Sequence, residues 1–277
     1  MSKKFAVFGK PIKQSLSPPI HQHFASQLNL DINYDRILSD ESRFAADIEE
    51  FFASGGDGCN ITAPFKEMAF ALCDKLTDSA SRAQAVNTLY KNAAGDLCGH
   101  NTDGIGLLKD LTGNLGLNLD NANIVILGAG GATRGILQPL IEQNPSSITI
   151  INRTHAKAKT LAKEFIDLFN ISTASSDNLP ADIPRPDLLL NATSASLEAK
   201  LPISDTSIIT NNICCYDLSY AATPTSFLTM CKQAGSNNNH DGRGMLVEQA
   251  AVAFTTWTSH KVETRALIEG FENLTTD

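Results

Sequence analysis

An α/β fold in two parts is predicted by three observations. Strand-like and helix-like segments alternate along most of the 277 residues. The segment Asn123-Ile124-Val125-Ile126-Leu127 is apolar on both faces, as a buried parallel strand is. The glycine turn Gly128-Ala129-Gly130-Gly131 follows it directly. This order favours a parallel sheet with right-handed crossovers.

In the first part, Phe5-Ala6-Val7-Phe8 reads as a strand, 19–28 as a helix, 34–38 as a strand and 41–52 as an amphipathic helix. Residues 59–62 read as a third strand, followed by a helix opening near Pro64 and a second over 78–85. A hairpin pairs 87–91 with 97–100 around Ala94-Gly95-Asp96. The second part opens with a helix over 106–111 and a connection rich in Gly and Asn over 112–123. After the strand 123–127 and its glycine turn come a helix over 132–142, a strand over 147–151, a helix over 156–169 and strands over 187–190 and 213–218. The polar run 235–241 reads as a linker, with helices over 245–258 and 262–274 beyond it. The domain limits read from this order are 1–103, 104–240 and 241–277.

Composition narrows the function classes. A chain of this length buries roughly three quarters of its extended surface, enough for a substantial core. The net charge of −8 offers no basic footprint and argues against binding to nucleic acid or to an anionic membrane surface. No apolar stretch is long enough to span a bilayer, and the start shows no long apolar leader with a cleavage site. Cys59, Cys73, Cys98, Cys214, Cys215 and Cys231 show no C-x-x-C pairing, which fits reduced thiols and a cytoplasmic location. The histidines are scattered without metal-ligand spacing, so no metal site is expected.

The glycine turn carries a definite mechanism. Glycines let the backbone turn tightly and approach a pyrophosphate, whose charge meets the N–H groups of the following helix. Here the motif is Gly-Ala-Gly-Gly-Ala-Thr-Arg-Gly, with Thr133 at the third glycine position of the usual fingerprint; the competing reading is a glycine turn without a ligand. An NAD site would offer an acidic residue at the end of the next strand, whereas Ile150-Ile151-Asn152-Arg153-Thr154 has none. Arg153 stands where a 2'-phosphate would sit, and Lys157 adds a second charge. One charge-assisted contact favours NADPH over NADH by about one to two decades. The alternative for Arg153 is a solvated arginine at a helix start.

Lys66 and Asp103 each stand among small polar residues, in Asn60-Ile61-Thr62-Ala63-Pro64-Phe65-Lys66 and Asn101-Thr102-Asp103-Gly104. Reduction of a ketone by hydride needs a proton for the nascent alkoxide, and a lysine ammonium near a carboxylate can deliver it. Residue by residue, Lys66 is equally an exposed helix-start lysine and Asp103 a helix cap. Ser15-Leu16-Ser17-Pro18 places two hydroxyls where a carboxylate can bind at a helix start, or where an N-cap is followed by proline.

Together, Ser15-x-Ser17-Pro18, Asn60-x-Thr62-x-Pro64-Phe65-Lys66, Ala85-Val86-Asn87-Thr88, Asn101-Thr102-Asp103-Gly104, Gly128-Ala129-Gly130-Gly131-Ala132-x-Arg134, Asn152-Arg153-Thr154 and Asn191-Ala192-Thr193 resemble, in order, the motifs of bacterial shikimate dehydrogenases. The resemblance implies NADPH-linked, reversible reduction of 3-dehydroshikimate to shikimate in chorismate and aromatic amino-acid biosynthesis. It implies an N-terminal substrate domain, a Rossmann-like NADP-binding domain, and C-terminal helices that return to the first domain across a cleft. A small-molecule substrate and a monomer or homodimer are expected. Carried over, Lys66 matches the catalytic lysine and Asp103 its partner. Ser15 and Ser17 match the carboxylate binders, and Thr62, Asn87, Tyr220 and Gln249 further substrate contacts. The cofactor set is Gly128, Ala129, Gly130, Gly131, Ala132, Asn152, Arg153, Thr154 and Lys157, with Asp78, Leu218 and Gly242 in contact with the cofactor or beside it. Three departures stand out: Ser194-Ala195-Ser196-Leu197 lacks a glycine often found there, 220–225 has altered proline spacing, and Lys157 replaces a common arginine and its planar fork. A quinate/shikimate dehydrogenase with broader NAD(P) use, or a non-catalytic NADPH-binding regulator, are the alternatives.

Overall fold

The computed structural model describes residues 2–198 and 200–274. The chain divides into two compact units: unit 1 comprises Met1–Gly106 and Leu246–Asp277, and unit 2 comprises Leu107–Met245.

Unit 1 begins with β1 (Lys3–Gly9), α1 (Ser17–Gln27), β2 (Ile32–Leu38), α2 (Phe44–Ala53), β3 (Gly58–Ile61), α3 (Lys66–Leu72), β4 (Lys75–Leu76), α4 (Asp78–Ala83), β5 (Thr88–Lys91) and β6 (Leu97–His100). These strands form one sheet in the order β2-β1-β3-β5-β6-β4. β1 is parallel to both neighbours, while β5 runs antiparallel to β3 and β6, so this sheet is mixed. The two-residue β4 is too short to leave a pattern in the sequence. One face of the sheet packs on α2 and α3 through Phe8, Phe44, Phe51 and Phe65, with Phe44 and Phe65 stacked at 4.7 Å. Stacked aromatic rings of this kind contribute about 0.5–1.5 kcal/mol beyond the area they bury.

Across the junction runs α5 (Asp103–Lys109), which continues as a π-helical turn over Asp110–Asn114. Unit 2 then contains β7 (Asn123–Leu127), α6 (Gly131–Ile141), β8 (Ser147–Asn152), α7 (His155–Glu164), β9 (Ser172–Ser175), β10 (Leu188–Asn191), β11 (Cys214–Asp217), α8 (Ser226–Gln233) and β12 (Asn238–Asp241). All six strands are parallel, in the order β12-β11-β10-β7-β8-β9. That is the doubly wound arrangement, with its order reversing between β7 and β10. β10 and β11 are buried throughout, as strands covered on both faces must be.

Several expectations need correction. The run 235–241 is not a linker, because its second half is β12, paired with β11 from Cys214↔Asn238 to Asp217↔Asp241. An edge strand is specified by its ladder of backbone hydrogen bonds, so half-buried Asn and His suffice there and no apolar alternation appears. β9 escaped the reading for the same reason. The helix expected to reach residue 169 ends at Glu164. The helix expected over 262–274 is split by Gly270 into α10 (Arg265–Glu269) and a 3-10 turn, Phe271–Asn273. It is preceded by α9 (Arg243–Thr258), whose greater part belongs to unit 1. There Trp257 stacks on Phe5 at 4.8 Å and donates its indole N–H to the Leu89 carbonyl at 3.1 Å, closing the second face of the unit 1 sheet.

Candidate active site

The loop after β3 is pinned at both ends. Thr62 N–H donates to the Phe8 carbonyl at 2.9 Å, and the Lys66 carbonyl accepts from Val86 N–H at 2.9 Å. Lys66 therefore starts α3 in a fixed place, and its ammonium donates to Asp103 Oδ2 at 2.5 Å. The lysine side chain is 33% exposed and the aspartate 16%, so the pair is accessible on the lysine side. Asp103 N–H donates to Asn101 Oδ1, while its carboxylate faces Lys66 and Asn87. The carboxylate is thus engaged by side chains, unlike that of a simple helix cap.

Asn87 is the hub of this cluster. Its amide nitrogen donates to Thr102 Oγ1 and Asp103 Oδ1, each at 2.9 Å, and to Gln249 Oε1 at 3.4 Å. Its oxygen accepts from Thr102 N–H at 3.0 Å and from the Thr88 hydroxyl at 2.9 Å. One buried amide thus orients the carboxylate partner of the lysine. Behind it, Asn60 donates to the Asn87 carbonyl and accepts from the Tyr34 hydroxyl at 2.7 Å. Gln249 reaches the cluster from α9, where its backbone lies so near Gly106 that a Cβ on that glycine would collide with it.

Ser15 and Ser17 hydroxyls lie 3.2 Å apart, and Arg36 Nε donates to the Ser15 carbonyl at 2.9 Å. The N-cap of α1 is Leu16, with no side-chain cap bond, so neither serine serves as the cap. In unit 1, then, Ser15 and Ser17 are side by side, and Lys66, Asn87, Asp103 and Gln249 form one connected cluster. Asp78 also lies in unit 1, as the first residue of α4, whereas Tyr220 lies in unit 2 in the irregular segment after β11. Burial, then the nearby Asp241 carboxylate, raises the Tyr220 phenol above its usual pKa.

Unit 2 holds a cavity of about 650 Å³, bordered by Gly128, Ala129, Gly130, Asn152, Arg153, Thr154 and Lys157 among others. This is within the usual size range of small-molecule sites. Gly128 adopts φ +107°, a left-handed conformation that disfavours a side chain, and a Cβ there would press on Thr193 at 2.9 Å. Around Gly130 and Gly131 the corresponding space is open, and Gly130 caps α6 without any side-chain acceptor. The first N–H groups of α6 are accordingly suited to an anion. Asn152 accepts from Ala129 N–H at 3.2 Å and donates to the Thr154 carbonyl at 2.9 Å, tying the glycine turn to the arginine loop. Ala132 follows on the first turn of α6. The donors, the open glycines and the basic pair Arg153 and Lys157 fit a dinucleotide with an added phosphate.

Three family models match the chain. The shikimate dehydrogenase substrate binding domain covers residues 7–89, shikimate / quinate 5-dehydrogenase 110–208, and the shikimate 5'-dehydrogenase C-terminal domain 242–269. The chain belongs to the shikimate dehydrogenase family. Shikimate dehydrogenase (NADP(+)) of Methylococcus capsulatus is 48% identical over 269 residues, covering 97% of this chain and 96% of the relative. That of Cellvibrio japonicus is 45% identical over 263 residues, covering 95% and 94%. Among solved structures, the Thermus thermophilus shikimate 5-dehydrogenase in complex with NADP(H) and shikimate has a TM-score of 0.86 at 31% identity, covering 99% of this chain and 100% of that one. The family's fold, a substrate-binding α/β domain with a Rossmann-like domain, is the fold of this chain.

Thr102 and Tyr34 are not singled out individually by the sequence as site residues, whereas Asn60 is marked by the strand end that it shares with Thr62 beside Lys66. Thr102 occurs inside the motif Asn101-Thr102-Asp103-Gly104, which is its only signal; Tyr34 leaves none, since its role depends on β2 lying beside β1 in the sheet.

Proposed function

We propose that this chain is an NADP-dependent shikimate dehydrogenase, which reversibly reduces 3-dehydroshikimate to shikimate in chorismate and aromatic amino-acid biosynthesis. The observation that carries this reading is the Lys66 ammonium held 2.5 Å from an Asp103 carboxylate that Asn87 orients. NADPH, when bound, supplies the hydride to the substrate carbonyl carbon. Lys66 donates a proton to the carbonyl oxygen as it becomes an alkoxide, and in the reverse direction takes it back. Asp103 fixes the ammonium and accepts from the reacting hydroxyl. Ser15 and Ser17 receive the substrate carboxylate, and Thr62, Asn87, Tyr220 and Gln249 meet other parts of the ring. Gly128, Ala129, Gly130, Gly131 and Ala132 hold the pyrophosphate, while Asn152, Arg153, Thr154 and Lys157 hold the adenosine end and its 2'-phosphate. Asp78, Leu218 and Gly242 belong to the cofactor's surroundings. Arg153 and Lys157 favour NADP over NAD.

The enzyme acts on a freely diffusing metabolite. Among the described residues no helix is long and apolar enough to cross a membrane. We place it in the cytoplasm as a monomer or homodimer, in keeping with its reduced thiols.

Mixing the protein with shikimate and NADP+ should generate NADPH absorbance. Lys66→Ala should lower turnover by about 10²- to 10⁴-fold while leaving the dissociation constant of NADPH nearly unchanged. Undiminished turnover in this variant would overturn the assignment of Lys66.

A further inference from the structure

Deep in unit 2, a chain of hydrogen bonds lies away from the residues that border the nucleotide cavity. Tyr216, on β11, is completely buried and donates its hydroxyl to Asp110 Oδ2 at 2.6 Å. The same hydroxyl oxygen accepts from Met245 N–H at 3.3 Å. Asp110, 3% exposed in the π-helical turn, also accepts from Asn114 Nδ2 at 2.9 Å through its other oxygen. Burial, followed by the Asp110 charge, holds the Tyr216 phenol well above its usual pKa and so keeps the donating proton in place.

The segment this network grips is tightly constrained. Gly242 N–H donates to the Ser219 carbonyl at 3.1 Å, and a Cβ at Gly242 would overlap the Leu218 carbonyl. A Cβ at Gly244 would overlap the Asp110 carboxylate. The residues following β11 and β12 are therefore locked to each other and to Asp110.

In a doubly wound sheet the dinucleotide straddles the point where strand order reverses, here between β7 and β10. Arg153, after β8, puts the adenosine half on one side of that point. The nicotinamide half then falls toward the ends of β10, β11 and β12, where Leu218 and Gly242 lie. We propose that Asp110 and Tyr216 are positioning residues that set the backbone at 218–219 and 242–245 for the nicotinamide half of NADP. This rests on the cofactor reading above and adds to it a division of labour within the sheet.

The test uses the full-length protein and two probes measured by calorimetry: NADP+, and adenosine 2',5'-bisphosphate, which carries only the adenosine half. In Tyr216→Phe and in Asp110→Asn, NADP+ affinity should fall about tenfold, with the bisphosphate within about twofold of its starting value. The double variant should lose no more than the worse single one, since both act through one network. Retained bisphosphate binding also reports that unit 2 is folded. Equal weakening of both probes would mean a merely structural role, and no change in either would mean no role; both overturn the proposal. A wild-type protein that failed to bind NADP+ would overturn the cofactor reading itself, and this inference with it.

Discussion

His21 is enclosed by rings: it stacks on Tyr34 at 4.5 Å and lies within 5.9 Å of Phe254 and 5.2 Å of Trp257. Among the described residues neither ring nitrogen meets hydrogen-bond geometry, and burial pulls the pKa from 6.5 down to about 3, with Asn60 opposing. The sign of the consequence is fixed. The unfolded chain takes up a proton below about pH 6.5, while the folded chain resists doing so until about pH 3, so stability is lost as pH falls through that window. Between pH 7 and 4.5 this group should cost about 2–3 kcal/mol. His21→Phe lacks that loss, and urea midpoints of the two proteins should separate as pH falls; curves that stay parallel would refute it. At this scale the sequence marks residues but not their partners. Lys66 and Asp103 stand out as ionisable groups in polar surroundings, yet their 37-residue separation gives no hint of contact. Asn87 is still less legible, because an amide's partners are decided by which strands and loops surround it.

The polar knot at the start of α8 shows how elements are tied in unit 2. Asp217, at the end of β11, is fully buried and accepts from Asn191 Nδ2 at 3.1 Å, Ser219 N–H at 3.0 Å, Ser196 Oγ at 2.6 Å and Thr225 Oγ1 at 2.7 Å. Thr225 also caps α8 by accepting from Leu228 N–H at 3.3 Å. One hydroxyl therefore serves both the helix start and a buried charge. Thr225→Ala should destabilise the protein by about 1–3 kcal/mol, whereas Thr225→Ser, which keeps the hydroxyl, should retain most of that stability. Urea unfolding of the two variants decides this, and equal losses would show that the methyl group matters instead. Elements of this kind were legible in proportion to how apolar they are. β7, β8, β10 and β11 announce themselves as apolar runs because both faces are covered. β9 and β12 do not, being short polar edges, and α8 was missed because its sequence signal is confined to Thr225 and a short amphipathic stretch.

At the scale of the whole molecule, the family motifs made the order of two α/β parts legible, but the composition of unit 1 needed the fold. Its first 106 residues lack Phe254 and Trp257, which pack with His21, Phe24 and Tyr34. Unit 2, by contrast, is a single stretch of chain with its own cores. A protein ending at Met245 should keep a cooperatively folded unit 2 that binds adenosine 2',5'-bisphosphate, with unit 1 unfolded. Amide hydrogen exchange would show protection confined to 107–245, and equal protection in 1–106 would refute the expectation. The same discontinuity sets a timetable during synthesis. Domains fold as units while the chain emerges. Here unit 1, which starts first, must wait for residues beyond 245, whereas unit 2 needs none of them, so the two units should complete their folds in the reverse of their order along the chain.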